Sequence, residues 1–150
     1  IIPKVIEPTF GIERVFLAVL TKAYNHDKEK DYTLLKLPAK LAPIKAAVFP
    51  IVKEEHYVKI AEDIVKDLKR EFYVIYDKSG SIGRRYARND EVGTPYCITI
   101  DEVSLKEKDC TIRDRDSKKQ IRVKVKDLRE TIRKLIGEEI EFEKAGKLVK

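Results

Sequence analysis

The chain has 150 residues, 43% of them hydrophobic, which suits one folded domain with a real core and excludes a disordered tail. A net charge of +6 favours an acidic partner, and nucleic acid fits better than a membrane surface. No apolar run approaches the roughly 18 residues that a membrane-spanning helix needs. The two cysteines lack a CxxC spacing, which argues against a structural zinc site.

The remaining features of composition concern where the protein works and how complete the chain is. Charged residues of both signs make up 39% of the chain, as in heat-adapted proteins with surface ion pairs. No secretory pattern opens the sequence, so we expect a cytoplasmic protein. Methionine is absent throughout, and we therefore expect this chain to be a piece of a longer protein.

Apolar residues recur at helical spacing in several stretches, with short apolar runs between them. In chain order the predicted elements are a helix over 12–24, a polar connection over 25–31, an apolar stretch over 34–43, a strand over 46–51, a helix over 54–71, a strand over 73–76, a short helix within 79–93, a strand over 96–100, a hairpin of strands 111–113 and 120–124, and a helix over 125–136. From residue 46 this order predicts a three-layer α/β fold with a mixed sheet of about five strands flanked by helices. A new structural unit is predicted to begin near residue 43.

Residues 79–93 (SGSIGRRYARNDEVG) combine arginine with glycine at unusual density. Arg84, Arg85 and Arg88 supply planar donor groups that suit phosphates and base edges. Ile82 and Tyr86 are four positions apart, so a short helix can bury both and present the arginines outward. This segment predicts a surface for a polyanion.

A second basic segment, residues 111–124, carries six basic and two acidic residues. If Arg113 lies near the arginine helix, the two segments share one face. Such a face suits single-stranded RNA, whose bases can stack on arginine planes or on Tyr86. The alternative is a solvated surface whose arginines pair with neighbouring aspartates, an arrangement that contributes little to stability.

The stretch EPTFGIER at residues 7–14 places a carboxylate, a hydroxyl and an arginine at the head of the first helix. Thr9 is a candidate N-cap, and helix N-termini attract anions. An ordinary cap beside a surface arginine is the competing interpretation. The sequence gives little support for any other catalytic site. His26 and His56 have no nucleophile motif near them, and neither a P-loop nor a GxGxxG motif is present.

These segments resemble the end of an archaeal or eukaryotic-type glycyl-tRNA synthetase, a class II aminoacyl-tRNA synthetase. VIEPTFGIER is similar to the third signature motif of the class in its glycyl form. The chain from about residue 43 resembles the anticodon-binding domain shared by the glycyl, histidyl, prolyl and threonyl enzymes, and SGSIGRRYARNDEVGTPYCITID and TIRDRDSKKQIR resemble the glycyl member most specifically. The resemblance implies a catalytic-domain remnant with linker over 1–42 and an anticodon-binding domain over 43–150.

The resemblance also implies roles for the first block. Glu7 and Thr9 would help to hold glycine, and Arg14 would contact the phosphates of ATP, with Mg²⁺ as the metal of the full-length enzyme. Many relatives have serine where this chain has Thr9, so the added methyl group can alter the fit. The other two class signatures are not among these 150 residues, and we expect no cofactor and no glycine activation for this chain alone.

For the second block the resemblance implies recognition of the tRNA(Gly) anticodon stem-loop within a homodimeric parent enzyme. The candidate tRNA-binding residues are Arg84, Arg85, Arg88, Glu91, Arg113, Arg115 and Asp116. Because phosphates repel carboxylates, we expect Asp90 and Glu91 to position the arginines or to accept hydrogen bonds from base amino groups. The alternative function is a free-standing accessory module that binds RNA or another partner.

Overall fold

One six-stranded sheet and a separate two-stranded hairpin organise the chain in the computed structural model, which describes residues 2–29 and 31–149. The elements in chain order are α1 (Ile12–Ala23), β1 (Tyr24–Asp27), β2 (Tyr32–Leu35), β3 (Ala46–Pro50), α2 (Glu55–Leu68), β4 (Val74–Tyr76), α3 (Ile82–Val92), β5 (Tyr96–Ile100), α4 (Glu102–Glu107), β6 (Asp109–Asp114), β7 (Gln120–Lys124), α5 (Leu128–Gly137) and β8 (Lys147–Leu148). Short 3₁₀ turns cover Val125–Asp127 and Phe142–Lys144.

The large sheet is mixed and has the strand order β4-β3-β5-β6-β7-β8. Strand β3 runs parallel to both β4 and β5, whereas the pairs from β5 to β8 are antiparallel. Because β3, β4 and β5 point the same way, the loops that follow them meet at one edge of the sheet. That edge holds the start of α3 and its arginines.

Helices cover both faces of the sheet, which explains why every residue of β3 and β5 is buried. On one face Ala46, Val48 and Ile98 pack with α2 and α5 in the main core. On the other face the residues between them, including Phe49 and Cys97, pack against α3. None of the helices in the described ranges is both long and apolar enough to cross a membrane.

The predicted three-layer α/β fold with a mixed sheet is confirmed. The sheet has six strands rather than about five, because β8 adds a two-residue edge strand beside β7. The hairpin β1–β2 was expected to be a connection, since its first strand is polar and mostly exposed and so lacks apolar alternation. Lys30, within that predicted connection, lies outside the described residues. Helix α4 was not predicted. It has only six residues and depends on a capping box between Asp101 and Ser104, a signal that the spacing of apolar residues does not reveal.

Helix α1 begins at Ile12, with Gly11 at the N-cap and no side-chain capping bond. The prediction that Thr9 caps this helix is therefore wrong, because the helix starts three residues after Thr9. Residues 2–18 are all exposed. Only the end of α1 is anchored, where Ala23 packs with Leu37 and Ala42.

Candidate nucleic-acid interface

Helix α3 is built by local signals at both ends. The Ser81 hydroxyl accepts a hydrogen bond from the Arg84 backbone N–H at 3.4 Å, and Gly93 ends the helix with a left-handed φ of +83°. Ile82 and Tyr86 pack against the sheet, as their spacing predicted, and the Tyr86 ring meets Phe49 edge-on at 5.7 Å. The helix therefore presents one apolar side to the sheet and its other side to solvent.

Arg84 and Arg88 lie on the exposed side of α3. The Arg84 side chain has no hydrogen bond or ion pair among the described residues, so its guanidinium group is free for a ligand. Arg88 donates to the Asp77 carboxylate at 2.5 Å and to the Ser79 backbone carbonyl at 2.9 Å, and its side chain is still 46% exposed. The loop after β4 thus holds Arg88 at the surface beside the free Arg84.

Arg85 points inward and is only 3% exposed. Its guanidinium group donates to the backbone carbonyls of Pro50 at 2.6 Å and of Gly80 at 2.8 Å. The expectation that all three arginines face outward is therefore wrong for Arg85. The reason is helical spacing, since a residue three positions after Ile82 shares its inward side. Arg85 ties the loop before α3 to the end of β3.

Arg113 on β6 lies next to α3, which meets the condition for a shared face, but its side chain is buried in an ion pair. Its two terminal nitrogens donate to both carboxylate oxygens of Asp90, each at 3.0 Å, and Asp90 is fully buried. The guanidinium group also lies 4.6 Å from the centre of the Tyr86 ring. Burial acts to lower the pKa of Arg113, but the hydrogen bonds and charge of Asp90 raise it above its ordinary value.

Arg115 is also buried, at the turn between β6 and β7. It donates to the backbone carbonyls of Gly93 and Leu37, each at 2.8 Å, and to the carboxylate of its neighbour Asp116. The Asp116 side chain remains half exposed. Glu91 is exposed, and its side chain has no hydrogen-bonding or charged partner in the described part of the chain.

The candidate tRNA-binding residues therefore divide into two groups. Arg84, Arg88, Glu91 and Asp116 reach the surface, whereas Arg85, Arg113 and Arg115 are buried and bonded within the chain. Sequence reasoning missed Asp77 and Tyr32, which hold Arg88 and Asp90 respectively. Tyr32 is 58 residues from Asp90 and no local pattern links them. For Asp77, the Asp-x-Ser turn signal at 77–79 was available.

Comparison with known proteins identifies the family. Residues 45–135 match the model of the anticodon binding domain. The chain belongs to this family. A glycine–tRNA ligase of Rhodopirellula baltica is 49% identical over 134 residues, and the match covers 85% of this chain and 25% of that protein. The corresponding enzyme of Thermococcus sibiricus is 46% identical over 137 residues, covering 91% and 24%.

The matches also define the extent of the likeness. The chain spans about a quarter of the length of the curated relatives it matches. A solved structure of prolyl-tRNA synthetase from Cryptosporidium parvum, complexed with L-proline and AMP, superposes with a TM-score of 0.66 at 23% identity, covering 70% of this chain and 24% of that one. This neighbour supports the fold alone. The resemblance to glycyl-tRNA synthetase and its anticodon-binding domain is confirmed.

A further arginine of this anticodon-binding domain, Arg122 on β7, bridges two carboxylates. It contacts Asp101 at 2.5 Å and Asp109 at 2.7 Å. The hydrogen bonds that Arg122 donates to the Asp101 carboxylate raise the pKa of Arg122. Partial burial acts to raise the pKa of Asp101, but bonds from Arg122 and Ser104 outweigh it and hold this pKa below its ordinary value of 3.8. This cluster joins the loop after β5 to β6 and β7.

The lowered pKa of Asp101 implies that the stability of the fold depends on pH in the acid range. A carboxyl group with a depressed folded-state pKa stabilises the fold above its ordinary pKa, 3.8, and loses that contribution as the pH falls through the folded value. Asp101→Asn retains a good N-cap for α4 but removes the charge. We expect this variant to melt below the wild type at pH 7, with the gap in Tm closing below about pH 4. A gap that stays constant from pH 7 to pH 3, by circular dichroism, would contradict the assignment.

The segment before α1 does not enclose a ligand in the described part of the domain. Glu7, Thr9 and Arg14 are all exposed, and Arg14 has no ion-pair partner among the described residues. Nor do the described residues contain a group of three or more His, Cys, Asp or Glu side chains arranged to hold a metal. An ATP molecule or Mg²⁺ ion would need walls and ligands beyond those that residues 2–29 and 31–149 supply.

Proposed function

We propose that this chain is the C-terminal part of a glycyl-tRNA synthetase and recognises the anticodon stem-loop of tRNA(Gly). The observation that carries the proposal is the 44–49% identity to glycine–tRNA ligases along almost the whole chain, together with the match to the anticodon binding domain. The exposed arginines of α3 and the net charge of +6 support an RNA partner.

The proposed contact surface is the outer side of α3 and the turn that follows β6. Arg84, Arg88 and Glu91 are spaced by four and then three residues, so they lie along one side of the helix. In the proposal the two arginines contact phosphates, while Glu91 and Asp116 accept hydrogen bonds from base amino groups. The remaining candidates are buried beneath this surface and stabilise the backbone that carries it. These candidates are Arg85, Arg113 and Arg115.

The proposal extends to the parent enzyme by resemblance. In this proposal, residues 1–42 are a remnant of the catalytic domain followed by a linker, and residues 43–150 are the anticodon-binding domain. The parent enzyme is a cytoplasmic homodimer that uses ATP and Mg²⁺. Glu7 and Thr9 help to hold glycine and Arg14 contacts the ATP phosphates once the rest of the catalytic domain surrounds them. No chemical step is assigned to this chain alone, because these three side chains are exposed and enclose no site.

Salt-dependent binding of a labelled tRNA(Gly) anticodon stem-loop tests the proposal. We expect a Kd that weakens with KCl, with about 0.7 added to the log–log slope for each single-strand phosphate contact. A stem-loop of equal length with a different anticodon should bind more weakly, since base contacts carry the specificity. Equal binding of both stem-loops by fluorescence anisotropy would reduce the surface to a non-specific polyanion site, and absence of binding would refute the proposal.

A further inference from the structure

The hairpin β1–β2 is fastened to α3 and to the turn after β6 by side chains that the RNA surface does not use. The Tyr32 hydroxyl donates to the buried Asp90 carboxylate. Arg115 donates to the Leu37 carbonyl just past the hairpin at 2.8 Å. The Lys118 Nζ atom lies 4.0 Å from the centre of the Tyr32 ring, as a cation–π pair.

Gly93, at the end of α3, brings this helix into direct contact with the hairpin. A Cβ atom at this position would lie 3.0 Å from the Leu35 carbonyl oxygen and 3.1 Å from a methyl carbon of Leu37. The left-handed φ of +83° also disfavours any side chain here. The hairpin thus sits directly against the end of α3.

The hairpin is in turn continuous with α1. The first residue of β1 follows the last residue of α1, and the Lys36 N–H donates to the Ala23 carbonyl at 2.7 Å. Ala23 packs with Leu37 and Ala42. Helix α1 and the hairpin therefore form one unit, which carries Arg14 at its free end and Tyr32 at its attached end.

The two residues to which the hairpin segment is attached, Asp90 and Arg115, are each followed by a residue of the proposed RNA surface. Buried Asp90 precedes exposed Glu91, and buried Arg115 precedes exposed Asp116. At each place, the residue proposed to contact RNA is the sequence neighbour of the residue that bonds to the hairpin segment. RNA contacts at Glu91 or Asp116 would therefore act one residue away from a side chain that donates to or accepts from the hairpin segment.

We propose that Tyr32, Asp90 and Arg115 are positioning residues that set the orientation of α1 and the hairpin according to whether RNA occupies the α3 surface. This inference rests on the proposed function, because it assumes that RNA binds there. It assigns to these three side chains a role in joining the RNA surface to the segment that carries Glu7, Thr9 and Arg14.

The test is amide hydrogen exchange of the hairpin in wild type and Tyr32→Phe, with and without the tRNA(Gly) anticodon stem-loop. Loss of a hydrogen bond to a carboxylate should speed exchange of the hairpin amides about tenfold or more, while strands β3 and β5 stay protected. Saturating stem-loop should slow hairpin exchange in the wild type, and this slowing should be largely lost in Tyr32→Phe.

Tyr24→Phe is the matched control. It removes the same atom from the same hairpin, but the Tyr24 hydroxyl is exposed and has no partner among the described residues. Equal exchange in the two variants, or equal slowing by stem-loop in wild type and Tyr32→Phe, would overturn the inference. If the wild type binds no stem-loop, the proposed function and the coupling both fall, while the RNA-free comparison still decides whether Tyr32 holds the hairpin.

Discussion

Arg113→Ala is expected to lower the free energy of unfolding by about 3–5 kcal/mol, the typical cost of removing one partner of a buried ion pair. Asp90 is fully buried and accepts two 3.0 Å hydrogen bonds from Arg113. Without Arg113 its carboxylate retains the Tyr32 hydroxyl but loses the charge that compensates its own. Urea denaturation at pH 7, followed by circular dichroism, measures the loss.

Arg133→Ala is the control for this prediction. Arg133 on α5 also binds a carboxylate through two nitrogens, at 2.6 and 2.7 Å from Glu71, but both side chains of this pair are substantially exposed. Exposed pairs contribute little, so this variant should stay close to the wild type. The double variant Arg113→Ala/Asp90→Asn should recover part of the loss, because it removes the uncompensated charge. An Arg113→Ala variant no less stable than Arg133→Ala would show that the ion pair does not hold the site together.

Much of the fold follows from local pattern. Helices α2 and α5 have apolar residues at helical spacing, and β3 and β5 are short continuous apolar runs. The spacing of the apolar residues therefore predicts which segments are helices and which are strands. The hairpin β1–β2 has no such signal. Its first strand is exposed and polar, and it forms because Leu34 and Tyr32 of β2 pack against the rest of the domain.

The site was predicted less completely, because burial of an arginine depends on acceptors elsewhere in the chain. Arg85 finds the Pro50 carbonyl and Arg115 the Leu37 carbonyl, neither of which is close in sequence. Helical spacing did contain part of the answer, since Arg85 shares the inward side of α3 with Ile82 and Asn89. Of the two roles expected for Asp90, the structure shows the positioning of an arginine, and that arginine is Arg113.

The largest effect on RNA binding is expected from Arg84→Ala/Arg88→Ala, which should weaken the affinity for the anticodon stem-loop about 10- to 100-fold and reduce the salt slope. Both side chains are exposed, so the fold should be retained, with a Tm near that of the wild type. Arg85 is left in place because its burial would mix a folding defect with a binding defect.

The control variant Lys69→Ala/Arg70→Ala also removes two positive charges, but at the end of α2. This helix packs on the opposite face of the sheet from α3. If affinity depends only on net charge, this control should lose as much as the α3 variant, and the surface assignment would then be wrong. The single variants sharpen the test. Arg84 is free, whereas Arg88 is partly neutralised by Asp77. Arg84→Ala should therefore cost more affinity than Arg88→Ala, because Arg88 must first give up part of its bond to Asp77 before it can contact a phosphate.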